Sequence, residues 1–561
     1  MSNLLERASI LLSPTAVSDE KIHSIKPVRT FSNELVTNGN FDADTNWTKF
    51  SSATISGGTA NLPNASAAVR QSGIGLETNK NYKITYDVIS SSGNNVLFTT
   101  RGGTCLRVEL PSSVGTHTVF ARTDSTGGDE FFISVKAFSA SAVIDNVSVK
   151  KVTEGDFDFT RATTATRVNS SGIIESVASG LPRIDFLSGI GQILLEPAST
   201  NTATYSNDFS QGTNFGSGNR VLSDSVLSAN QGTAPDGTNT AQKITDNNNG
   251  GTGSIAISSF GISLNSGTDS TASMFVKKDT VRYFVIRFLN FDTTVDASFD
   301  LDTGIVNRGT GVMTDYGNGW YRCSTTFNTT TDLVGGIQFL ITNSSSGNGG
   351  NLRDGSNSTF VWGYQAEENS FATSYIPTTT SSVTRNADLA NNSGDASLIN
   401  TTEGVLYTET ACLVDGTNNR AISIGSDGQN IASIQYNPTS NRILGRYRNA
   451  GNFECQIQFD VLDRTQFSKI AFRYKQDDFV LFVNGVKVGT DDTSGNVLSA
   501  DAFTSLALNS GMSGTGQPFE GKVKCVAVFK EFLDNDELEC LTGSGFDSFT
   551  ALAEAGSYTI I

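Results

Sequence analysis

Phe479-Val480-Leu481-Phe482-Val483-Asn484-Gly485-Val486-Lys487-Val488 decides how this chain folds. Asn-Gly between two runs of strand formers is the strongest short hairpin signal, because both turn positions need a left-handed backbone that Asn and Gly tolerate. The same pattern spreads outward. Val405, Tyr407 and Glu409 alternate along one run, and 431–436, 443–447 and 470–474 are rich in β-branched and aromatic residues, as half-buried strands require. Residues 387–543 are therefore expected to form one β-sandwich, followed by a short tail at 544–561 that ends Tyr558-Thr559-Ile560-Ile561 and is apolar enough to pair or dock.

The rest of the chain has the same character. Its 561 residues include 55 Gly and only 10 Pro, charged residues are 17%, and 35 Phe supply several cores. Many polar turns and few helix formers predict an all-β chain of tandem β-sandwiches. A net charge of −17 argues against nucleic acid as a partner, since phosphate contact needs clustered Lys and Arg. No apolar run approaches the ~18 residues that span a bilayer, and the first 18 residues lack the basic start and long apolar middle of a signal peptide. Folding in a cytoplasm, without membrane insertion, is the expectation. Cys105, Cys323, Cys412, Cys455, Cys525 and Cys540 are scattered, which suits free thiols. With only His23 and His117 there is no zinc pattern.

Turn clusters divide the remainder. In 1–32, Leu4, Leu5, Ala8, Leu11 and Leu12 recur at helical spacing before Pro14, although Ile10 falls off that face. Docking or burial could use this apolar face; docking is expected, and 1–32 is taken as an N-terminal attachment segment. Residues 33–152 open with Asn38-Gly39-Asn40-Phe41-Asp42 and close with Ile144-Asp145-Asn146-Val147; turns every ten or so residues predict a sandwich. A second attachment stretch, 153–200, carries Phe157-Asp158-Phe159-Thr160-Arg161, Leu181-Pro182-Arg183 and Leu195-Glu196-Pro197. Residues 201–386 run from Asn207-Asp208-Phe209 through Gly319-Trp320-Tyr321-Arg322 to Val361-Trp362-Gly363-Tyr364 and predict another sandwich.

Three resemblances attach to these strings. The opening and closing of 33–152 resemble jelly-roll carbohydrate-binding modules, and 201–386 looks like a diverged second copy. The segment around 157–197, with a stretch like 5–27 ahead of it, resembles a module of tailed-bacteriophage virion proteins, so that 33–152 would be an insertion between two halves of it. Phe482 to Val488, with Phe519-Glu520-Gly521-Lys522-Val523 and Val526-Ala527-Val528-Phe529, resembles the laminin-G/concanavalin-like lectin fold. Together these imply a virion structural protein of the tail fibre type, assembled in the host cytoplasm. Its partners would be other virion proteins, through the N-terminal module, and host surface glycans. Cyclic symmetry makes a homo-oligomer, a trimer, the expectation, with avidity from several weak arms. The alternatives are a capsid-attached head fibre or decoration protein, a tail-spike depolymerase, and a spacer that binds nothing.

Candidate sites follow from these expectations. Sugar binding uses aromatic platforms beside polar side chains; the candidates are Trp47, Tyr82, Tyr316 and Trp320, each of which could instead be core. No cofactor is required, but the resembled jelly rolls carry a structural calcium between their opening and closing strands. Asp42 with Asp145, and Asp208 with Glu367, are the matching positions, and turn capping by Asx side chains is the competing reading. Hydrolysis of a glycosidic bond needs two carboxyls across a cleft, and the adjacent pairs Asp477-Asp478, Asp491-Asp492 and Glu367-Glu368 are the candidates. A Ser-His-Asp relay would need His23 or His117. The expectation is that the protein is not an enzyme.

Overall fold

The structure is a computed structural model that describes residues 4–543, apart from 15, 79, 93–96, 99–105, 125–126, 136–139, 210–213, 216–217, 290–295, 347–350, 414–418, 438–440 and 511–516. Cys105 and the tail 544–561 lie outside the described residues. The fold is a tandem of β-sandwiches, and the chain divides into two compact units: Lys26–Gly155, and Met1–Ile25 together with Asp156 onward.

In Lys26–Gly155 a five-stranded and a six-stranded antiparallel sheet face each other. Strand Asn81–Ser92 shows why: Tyr82, Ile84, Tyr86 and Val88 are buried, while Lys83, Thr85 and Asp87 on the other phase are more exposed. The opening motif has a steric explanation. Gly39 O accepts the Val147 N–H at 2.8 Å, and a Cβ on Gly39 would lie 1.9 Å from the Val147 carbonyl oxygen. Only glycine fits where the first segment crosses the last, and Phe41 beside it fills the core.

The larger unit holds two sandwiches. Residues 214–367 supply a seven-stranded and a six-stranded sheet, with Phe209, Ile257, Met274, Phe284, Phe339 and Tyr364 buried between them. The C-terminal sandwich pairs an eight-stranded sheet with a five-stranded one. Its hairpin joins Phe479–Val483 to Val486–Asp492, with Asn484 at φ 50° and Gly485 at φ 81°, the left-handed pair the sequence demands. Helix Asn535–Thr542 begins in a capping box: Asp534 accepts the Glu537 N–H and Glu537 accepts the Asp534 N–H, both at 2.9 Å.

The N-terminal expectation is corrected here. Only Leu4–Arg7 is helical; Ala8–Leu12 is a strand, antiparallel to Gly521–Phe529 in the eight-stranded sheet. Ile10 and Leu12 face the inter-sheet core, and Leu11 faces Leu533 and Leu538 on the other side. A short strand buried on both faces has no polar phase, so periodicity cannot tell it from a helix. Its apolar residues are thus core rather than an exposed docking face, and 1–32 is not a separate segment: Thr30–Phe31 already pairs within the inserted unit. Nor does 153–200 stand apart. Phe157–Thr160 pairs with Lys21–Ile22 and Leu389–Asn391, and Gln192–Leu195 pairs with Gly521–Phe529. Both stretches are built into the C-terminal sandwich and its surroundings. Among the described residues no helix is long and apolar enough to cross a membrane.

Candidate functional site

Three of the four aromatic candidates are core residues. Trp47 is 6% exposed, lies 5.2 Å from the Phe41 ring and donates Nε1–H to Asn38 O at 2.9 Å. Tyr82 is fully buried and its hydroxyl accepts the Glu77 N–H. Trp320 is buried beside Phe275 and Trp362 and donates to Thr233 O at 3.1 Å. The polar surroundings of Trp47 and Trp320 in sequence are turn residues, and a nearby carbonyl satisfies each indole, so both rings turn inward. Tyr316 alone is partly buried, edge-on to Phe275 at 4.8 Å.

The proposed calcium ligands are otherwise engaged. Asp145 accepts the N–H of the next residue, Asn146, at 2.7 Å, and Asp42 accepts from the Asn40 side-chain amide. Asp208 accepts from Gln242 at 3.3 Å. Glu367 is buried, and its two oxygens accept from Gln365, Ser199, Thr373 N and Thr373 Oγ1 at 2.6–2.9 Å. Four donors saturate that carboxylate, so a cation would have to displace them. Backbone bonds join the opening and closing strands at this junction, from Val147 N–H to Gly39 O and from Leu35 N–H to Val149 O. Among the described residues no three His, Cys, Asp or Glu side chains converge.

Carboxylates suited to hydrolysis are likewise committed. Asp478 pairs with Arg473 at 2.6 Å, Asp491 with Lys487 at 2.5 Å, Asp492 caps Ser494, and Glu368 accepts from Asn265. His23 does meet a serine and a carboxylate: Nε2 lies 2.8 Å from Ser18 Oγ and Nδ1 2.7 Å from Asp156 Oδ2. Sequence separation hid this relay. Acyl transfer also needs a cleft and oxyanion donors, whereas Ser18 stands exposed on a two-residue strand. Asp156 also accepts the Ser24 N–H at 2.9 Å, so the relay fastens the chain where the inserted unit leaves and returns.

A cavity of about 570 Å³ lies in the larger unit, lined among others by Tyr316, Arg322, Asp185, Glu196, Val312 and Lys522. One lining residue, Glu196, belongs to a buried ionic network. Arg183 donates to Glu196 at 2.8 Å and also binds Asp388; Arg161 donates to Asp388 at 2.9 Å, and Arg385 lies 3.0 Å from Glu196. Burial alone would raise the Glu196 carboxyl, but Arg385, Arg183 and hydrogen bonds from Ser374 outweigh it and hold it at about 2. Burial pushes Asp185 up, against two backbone N–H donors. Glu196 is thus ionised with its oxygens occupied, a tie between segments rather than a free base. Arg161, Arg183 and Glu196 come from 157–197, and Arg385 and Asp388 from the stretch that follows the second sandwich.

A different surface has the makings of a binding site. The five-stranded sheet ends in edge strand Asn452–Asp460, beside Arg442–Asn449. Ile443, Tyr447, Cys455 and Ile457 point into the core. On the opposite phase Arg446 stands across from Gln456, and Arg448 from Phe453. Arg446 donates to Gln456 Oε1 at 3.0 Å and to Gln435 Oε1. Its guanidinium lies 5.2 Å from the Phe453 ring centre and that of Arg448 4.8 Å. Phe453 is 53% exposed. An exposed ring among amide and guanidinium groups offers apolar contact and hydrogen bonds together. Sequence reasoning missed it; the signal was Arg442, Arg446 and Arg448 on one phase of a strand in an acidic chain.

Residues 407–539 match the concanavalin A-like lectin/glucanases superfamily. That segment contains the whole Arg446–Phe453–Arg448 surface. No curated protein matches the chain. Among solved structures it is similar to the CBM40 of Ruminococcus gnavus IT-sialidase bound to α2,3-sialyllactose, at 17% identity over 26% of this chain and 83% of that one, with a TM-score of 0.22. Domain 4 of the Geobacillus stearothermophilus arabinanase AbnA, in complex with arabinotriose, shares 14% identity over 31% and 84%, with a TM-score of 0.23. Mouse laminin α1 domains LG4-5 share 10% over 50% and 88%, with a TM-score of 0.18.

Proposed function

We propose that the protein is a non-catalytic glycan-binding adhesin of the tail fibre type carried by tailed-bacteriophage particles, and that the Phe453 edge of its C-terminal sandwich touches the glycan. One observation carries this reading: a half-exposed phenyl ring, held by two arginines beside Gln456, within the segment that matches the lectin/glucanase superfamily. The ring takes the C–H face of a sugar while the Gln456 amide and the guanidinium groups take its hydroxyls. Non-catalysis is supported by the carboxylates described above, which are bound in ion pairs and caps. The virion assignment is supported by the strings at 5–27 and 157–197. A homotrimer would multiply a weak single contact by avidity. Since Ile10, Leu11 and Leu12 are buried, attachment to the particle would use surfaces other than that apolar run.

A glycan array probed with the full chain tests the reading. Binding to a subset of glycans is expected, lost in Phe453→Ala, with no new reducing ends released from any bound polymer and no labelling of Ser18 by a fluorophosphonate probe. Unchanged array binding by Phe453→Ala, or release of reducing ends, would overturn it.

A further inference from the structure

Arginines in this acidic chain generally face carboxylates. Arg442, on the same strand, holds Asp460 with two hydrogen bonds at 2.6 and 3.1 Å; Arg282, Arg287 and Arg308 do the same with Asp300 and Asp296. Arg446 and Arg448 do not. Arg446 donates to the neutral amides of Gln456 and Gln435, and Arg448 to the carbonyls of Gly451 and Gly428 at 3.0–3.3 Å. Among the described residues neither has a carboxylate partner. Two like charges gathered over one ring repel, and burial together with Arg448 pushes the Arg446 guanidinium down. Cation–π contact with Phe453 offsets part of that cost but neutralises nothing. Selection for glycan contact alone would not require two uncompensated cations; neutral donors would serve.

We propose that this surface selects acidic glycans, with the carboxylate or sulfate of the sugar received between Arg446 and Arg448 and the Phe453 rim against the ring. This rests on the glycan-binding reading and adds the charge class of the ligand. Guanidinium groups suit the task because they present planar pairs of N–H donors to carboxylate and sulfate oxygens. Arg446 is already oriented by Gln435 and Gln456, and Arg448 by two carbonyls, so little ordering is left for the ligand to supply. The net charge of −17 repels polyanions from the rest of the surface, which confines an acidic polymer to this spot.

Matched probes test it: polygalacturonate against its methyl ester, and dextran sulfate against dextran, titrated into the full chain at low and at high NaCl. Carboxylate and sulfate arms distinguish the two anion sources. The charged member of at least one pair should bind about tenfold more tightly, as expected for charge-assisted hydrogen bonds, and weaken with salt. In Arg446→Gln/Arg448→Gln the advantage should vanish while the far-UV circular dichroism spectrum stays that of the parent, since neither side chain belongs to the inter-sheet core. Equal binding of charged and neutral members, or an advantage that survives the double variant, would overturn the acidic preference and leave glycan binding standing. Binding of duplex DNA through the same two arginines with equal strength would show a general polyanion site and overturn it too. If no probe and no array glycan binds, the glycan reading itself fails.

Discussion

Gly39 and Glu196 show what single positions do in this chain. At Gly39 the backbone approaches Val147 so closely that a methyl group would overlap its carbonyl oxygen. Gly39→Ala should therefore destabilise the inserted unit by about 3 kcal/mol, the upper range for forced overpacking, read as a lower melting temperature of the Lys26–Gly155 transition alone. Glu196 is the buried acceptor for Arg183 and Arg385. Its carboxyl is depressed from 4.5 to about 2, so on acidification the unfolded chain takes up the proton first. Its stabilisation is complete above about pH 4.5 and drains away as pH falls toward 2. Glu196→Gln should cost about 3–5 kcal/mol at neutral pH, the range for breaking a buried pair, and its stability should fall less steeply between pH 5 and 2 than that of the parent. Denaturant melts across that interval measure both. Site residues were the least legible part of the sequence. Polar neighbours left the burial of Trp47 open, whereas Trp320 already read more as core; both rings turn inward where the indole finds a carbonyl. Phe453 was overlooked because a strand sequence does not say which edge of a sheet is left open.

At the scale of elements, alternation served well wherever one face of a strand is wet. Asn81–Ser92 and the Asn484-Gly485 hairpin follow directly from their residues. It failed for Ala8–Leu12, which is buried on both sides, and the strand's partner, Gly521–Phe529, lies more than 500 residues away. Nothing local can announce such a pairing. The consequence is measurable. Ile10 is fully buried, so Ile10→Ala should destabilise the C-terminal sandwich by about 2–5 kcal/mol. Removing residues 1–12 should do more, since it uncovers part of strand Gly521–Phe529 and leaves an apolar edge able to pair with other chains. Light scattering of the truncated protein should show aggregation; a soluble, monodisperse product with unchanged melting would mean that the N-terminal strand is dispensable.

For the whole molecule, the C-terminal sandwich is a hub rather than the last bead on a string. Its eight-stranded sheet takes strands from residues 8–12, 184–195 and 403–529, and a sandwich is spliced into each gap between them. The resemblance of 5–27 and 157–197 to one module pointed to the first splice; the second was not visible, because 184–195 looks like any short apolar strand until its partner is known. Both sides of the first splice meet at one place. In the larger unit Ser24 and His23 bond Asp156, at 2.9 and 2.7 Å. In the inserted unit Phe31 and Val152 are paired neighbours. Ends this close let a domain be inserted at little cost in chain entropy, and the inserted unit has its own buried core around Phe41, Tyr86, Phe131 and Ile144. Replacing Lys26–Gly155 by a short Gly-Ser linker should therefore leave the larger unit folded, with its binding to array glycans intact, while Lys26–Gly155 expressed alone should melt cooperatively as β-structure. Circular dichroism and calorimetry of the two pieces check this against the full chain, whose transitions they should reproduce. A linker variant that fails to fold would show that the insertion supports its host, and the hub would then depend on the sandwich spliced into it.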